Sequence, residues 1–176
     1  MGAVRLLLCL LPLALVACDR APAPAVQRVE LTEAHTMLPP VLQQSPDTTR
    51  ATWTVAANGQ AVHFGNRGAP PLISLACRPA ESPPQLSVIR HAPALPGQGA
   101  LFPVIGNGMR SRFLVDAALA DGEWRWEARL AASDPMLDVF TGPREMLATL
   151  PGAGTLEVGA SRIPGDFVRW CRAGGG

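Results

Sequence analysis

The residues able to do chemistry in this chain are few and far apart. They are Cys9, Cys18, Cys77 and Cys171, then His35, His63 and His91, in a sequence whose basic residues are all arginine. Three imidazoles can hold a zinc ion, but these are so widely spaced that they could meet only through the fold. No His-Glu-x-x-His, Cys-x-x-Cys or calcium-loop pattern occurs. The hydrolase elbow Gly-x-Ser-x-Gly fails at Gly159-Ala160-Ser161-Arg162-Ile163, which lacks its closing glycine. Gly106-Asn107-Gly108 opens like a dinucleotide fingerprint, yet no third glycine follows and both flanks have strand patterns, so it reads as a hairpin turn. Glu123 and Glu127 alternate with Arg125 and Arg129 as a solvated ladder, not as a glycosidase pair. What remains is Arg90-His91 with Arg110 and Arg112, an anion-binding patch if adjacent strands bring them together. No residue is assigned as catalytic, cofactor-binding or metal-ligating, and no cofactor is expected.

The first residues read more definitely. Arg5 precedes an apolar run from Leu6 to Ala17, the pattern of a secretory signal peptide. The run is too short to span a bilayer, which needs about 20 such residues. Its exit, Leu15-Val16-Ala17-Cys18, resembles the lipobox of bacterial lipoproteins. That resemblance implies cleavage between Ala17 and Cys18, a diacylglycerol on the Cys18 thiol and often an acyl group on the new amine. Each buried methylene contributes about 0.8 kcal/mol, so two or three chains anchor firmly where one does not. The expected location is the bacterial cell envelope, facing the periplasm. Asp19 resembles an inner-membrane retention signal, with the outer membrane as the alternative.

Composition narrows the partners. Cleavage removes Arg5 and no acid, leaving equal numbers of arginines and carboxylates. That balance argues against nucleic acid, which needs a basic footprint. The absence of lysine excludes Schiff-base catalysis, a P-loop lysine and a Ser-Lys dyad. With Cys9 removed and Cys18 acylated, Cys77 and Cys171 remain, and in an oxidising compartment they read first as a disulfide. Such a bridge closes a loop of roughly ninety residues and stabilises by roughly 4–5 kcal/mol on chain-entropy arguments. A free catalytic thiol is the competing reading.

The remaining elements must position these groups. Residues 18–28 are the lipidated cysteine and an Ala/Pro tether, extended by its alternating prolines. Residues 29–49 read as loose or partly helical, and 50–176 as the globular domain. Trp53 sits in an alternating strand followed by Asn58-Gly59, a hairpin signal that asks both residues for φ > 0. Leu72–Cys77 and Gln85–His91 read as strands, and Leu101–Ile105 and Met109–Ala117 flank the second hairpin. Glu123–Leu130 alternates most cleanly, with Trp124, Trp126, Ala128 and Leu130 expected on the core side. Asp134-Pro135 caps a short helix. Arg144–Leu150 and Thr155–Val158 make a last strand pair. Pro164 opens a C-terminal helix with Ile163, Phe167, Trp170 and Cys171 on one face. Seven or eight strands of this kind predict a mainly β fold, a small antiparallel β-sandwich or barrel with one short helix and a C-terminal helix. The domain also has a diffuse resemblance, through Trp53, Leu75, Cys77 and Cys171, to small exported proteobacterial proteins. That resemblance implies no function.

The leading functional expectation is a non-enzymatic envelope lipoprotein that binds another envelope protein or supports an assembly. The alternatives are a small-ligand barrel with an Arg-lined rim and an enzyme with an unfamiliar site. Convergence of His91 with an acid and a serine in a cleft would favour the enzyme.

Overall fold

A computed structural model describes residues 44–176; the expected signal peptide, Cys18, the expected tether and His35 lie outside the described residues. Among the described residues, nine antiparallel strands form one sheet: β1 (Ala51–Val55), β2 (Ala61–Asn66), β3 (Ile73–Arg78), β4 (Gln85–Arg90), β5 (Gly99–Gly106), β6 (Met109–Ala120), β7 (Glu123–Ala131), β8 (Met146–Leu150) and β9 (Gly154–Val158). The spatial order is β1-β2-β3-β4-β7-β6-β5-β8-β9, and the sheet curls into a nearly closed barrel. A 3₁₀ helix (Pro135–Phe140) and α1 (Ile163–Arg172) complete the fold. Among the described residues, no helix is long and apolar enough to cross a membrane.

Turn chemistry separates the three hairpins that matter most. Gly106 pairs with Met109, leaving Asn107 and Gly108 as a two-residue turn with both at positive φ, the geometry that matches strand twist. Asp121 and Gly122 do the same between β6 and β7. The Asn58-Gly59 turn is wider than its sequence predicts. Ala56 N–H donates to Ala61 O and the Asn58 side chain accepts from Gln60 N–H, so four residues form the loop, with Gly59 taking positive φ.

Alternation then fills the barrel. Phe64, Ile73, Leu75, Leu86, Phe102, Phe113 and Phe140 are buried in one continuous core. Trp126 and Ala128 enter it as expected, whereas Trp124 and Leu130 are only partly covered. One end of the barrel is closed by helices. Phe167, Val168 and Cys171 of α1 are buried, and Cys171 is bonded to Cys77 on β3, with 5.8 Å between the Cα atoms. Arg172 holds α1 to the chain after β7 by donating to Ala132 O, and pairs with Asp138 of the 3₁₀ helix at 2.7 Å.

No ladder joins β1 to β9. The chain before β1 lies there instead: Ser45 Oγ accepts from Thr155 N–H of β9, and Asp47 O accepts from the Asn66 amide. The compact part of the chain thus reaches back ahead of residue 50.

Candidate functional site

The two described histidines, placed on different segments, meet over one serine. Antiparallel register sets His63 of β2 beside Ser74 of β3, and β4 ends by delivering His91, whose N–H donates to Leu72 O. The Ser74 hydroxyl lies 2.7 Å from His63 Nδ1 and 2.7 Å from His91 Nε2. A hydroxyl has one proton, so one imidazole donates to Oγ while Oγ–H donates to the other, which works best with both rings neutral. The surroundings enforce that state. Burial lowers the His63 pKa, and burial together with the positive charge of Arg125 and the neighbouring His63 and Arg90 pushes His91 down to about 4.

These rings border an open groove of about 900 Å³, with Pro71, Leu72 and Pro93 on its walls and Trp124 and Arg125 contributed by β7. Asp121 and Glu123 stand at its edge. Arg125 Nε, like Arg90 Nε, is buried with no hydrogen-bond partner among the described residues, and Arg125 Nη2 is 4.0 Å from Glu127. Glu127 is shared: Arg129 and Arg78 approach it at 3.5 and 3.8 Å, and Ser87 donates to it at 2.7 Å. The ladder predicted to be fully solvated therefore contains a carboxylate that is mostly covered, surrounded by three guanidinium groups.

The four residues Arg90, His91, Arg110 and Arg112 do not form one patch. Arg90 points into the barrel and is 3% exposed, whereas Arg110 and Arg112 are exposed on the outer face of β6. Topology is the reason. β4 neighbours β7, not β6, and the register from Arg90 through Trp126 reaches β6 at Ala117. Arg112 is five residues further along that strand, roughly 16 Å at strand rise. Arg90 instead closes the barrel end opposite α1. Its Nη1 donates to Leu72 O (3.0 Å) and His91 O (2.9 Å), and its Nη2 to Ala153 O in the β8–β9 turn (3.2 Å). Burial lowers its pKa to about 10, which leaves it charged at neutral pH.

The groove holds parts of a catalytic set without the whole. Ser74 is 1% exposed, so its oxygen cannot reach a bound carbonyl, and no carboxylate hydrogen-bonds either imidazole among the described residues. Nor do three or more His, Cys, Asp or Glu side chains converge on a metal position among the described residues. The arrangement can bind. It offers an indole face, a guanidinium and two uncharged imidazoles beside apolar proline walls. Sequence reasoning placed Trp124 in the core and His63 outward on its strand. A signal for their meeting with His91 existed in Ser74, a polar residue in an otherwise apolar strand. No family model, curated protein or solved structure matches this chain.

Proposed function

We propose that this protein is a lipid-anchored component of the bacterial cell envelope whose barrel is a non-enzymatic binding domain, taking a segment of another envelope protein into the His63–His91–Trp124–Arg125 groove. The observation that carries the reading is the groove itself: an open, proline-walled concavity with Trp and Arg side by side, the residue types that dominate binding energy at interfaces. Its openness suits an extended segment better than an enclosed small molecule. Acyl chains on Cys18, as the lipobox resemblance implies, would hold the domain at the membrane, with residues 19–28 as tether. A small ligand with an anionic end is the second reading, favoured by the Arg125 guanidinium on the groove lining. The covered Ser74 hydroxyl weighs against an enzyme.

A photo-crosslinking residue at position 124, in cells producing the full chain, tests the groove. The expected outcome is one discrete covalent adduct in the envelope fraction. Trp124→Ala or Arg125→Ala should weaken the isolated complex by at least about 30-fold, the loss of a 2 kcal/mol anchor. Absence of any adduct beyond background refutes the protein-partner reading. The anchor has its own test, since the Cys18→Ser chain should leave the membrane fraction; retention like the wild type would overturn it.

A further inference from the structure

The outer face of β6, β5, β8 and β9 carries a second surface, away from the groove. Leu114 of β6 pairs with Leu101 of β5, and they are 75% and 49% exposed. Further along, one row crosses all four strands: Arg110 opposite Ile105, Ile105 opposite Leu147, and Leu147 opposite Glu157. Ile105 and Leu147 are each 48% exposed. This is a contiguous apolar strip on a sheet whose other side is already packed into the barrel, and exposed strips of this kind mark interaction surfaces. Its ends carry opposite charge. Arg110, with Arg112 beside it on β6, lies at one end and Glu157 at the other, and none of the three makes an ion pair among the described residues.

We infer that this face docks a second copy of the chain about a two-fold axis running along the strands between β5 and β8. The argument is self-complementarity. A closed dimer requires a patch that matches itself after rotation. This rotation lays β6 of one copy over β9 of the other, so that Arg110 meets the second copy's Glu157 twice while Ile105 packs on Leu147. An anionic bilayer would be attracted at the arginine end and repelled at Glu157, which makes it the poorer match. Opposite charges placed in this way fix the register of association.

Sedimentation velocity of the full-length chain in density-matched detergent tests the inference. The wild type is expected to have the mass of two chains. Arg110→Glu and Glu157→Arg, both exposed positions that leave the fold intact, should each weaken dimerisation at least tenfold, and Arg110→Glu combined with Glu157→Arg should restore it. Ile105→Asp should give a monomer. A monomeric wild type, a dimer indifferent to all these changes, or single reversals not rescued by the pair would overturn the proposal. A monomer that binds vesicles of anionic phospholipid through Ile105 would also overturn it, assigning the face to lipid.

Discussion

The two ends of the barrel are closed by different means. At one end, α1 and the 3₁₀ helix cover the core and a covalent bond from Cys171 to Cys77 holds them to β3. At the other, a single guanidinium, Arg90, draws together the carbonyls of Leu72, His91 and Ala153. The first closure has apolar area and a chain-length constraint behind it. The second has only hydrogen bonds to a buried charge, and the groove opens just outside it. Arg90 and Trp126 are register partners, so Arg90 and Arg125 are near neighbours on adjacent strands facing opposite ways. The inward guanidinium donates to three carbonyls and the outward one lines the open groove, and each keeps a buried Nε without a partner among the described residues. Of two like side chains, the one that lines a concave surface is the candidate for binding.

The largest expected effect is at the covalent end. Cys171→Ser should cost roughly 3–5 kcal/mol in urea unfolding, the value for losing a long-loop bridge, and the wild type in reductant should match it. At the opposite end, Arg90→Ala removes a charge that three carbonyls depend on and leaves a void. A loss of about 2–4 kcal/mol is expected, and a loss below about 1 kcal/mol would mean that the guanidinium does not close the barrel. The two losses should add within about 0.5 kcal/mol, because the ends share no partners.

A smaller effect appears with pH. His91 has a depressed pKa in the fold, so the unfolded chain binds the extra proton first. Its contribution to stability is complete above about pH 6.5 and is lost as the pH falls toward about 4. Between those limits the wild type should lose on the order of 2 kcal/mol. His91→Gln, measured across the same range by thermal or urea unfolding, should flatten that slope; an unchanged slope would place the acid sensitivity elsewhere. The smallest effect belongs to the outer cluster. Glu127→Gln keeps an acceptor for Ser87 but removes the carboxylate that three partly exposed arginines face at 3.5–4.0 Å, so a loss of about 1 kcal/mol in unfolding free energy is expected.

Local rules made much of the fold legible. The Trp53, Trp126 and Ala128 alternation, the Asn107-Gly108 turn, the Asp134 cap and the apolar face of α1 all follow from residues within a few positions of one another. The Cys77–Cys171 pairing was legible by counting, on the expectation of an oxidising compartment. Where local signals failed, a nonlocal neighbour intervened. Asn58-Gly59 forms a four-residue loop, although the dipeptide favours a two-residue turn. Glu127 reads as wet from its charged neighbours in sequence, but Ser87 on β4 and Arg78 on β3 cover it.

The amino-acid order by itself determined a β-rich domain with two cysteines to join, and it supplied a first segment that resembles a lipobox-ended leader, because these depend on composition, period and spacing. Only the tertiary structure decided that β4 runs beside β7, and from that one adjacency follow the inward Arg90, the separation of Arg110 and Arg112 from it, and the groove beside Trp124 and Arg125. The reason is physical. Strand period tells a residue which face it occupies, but hydrogen-bonding edges accept any strand of fitting pattern. The choice among them is made by the total packing of the core, which no single segment contains.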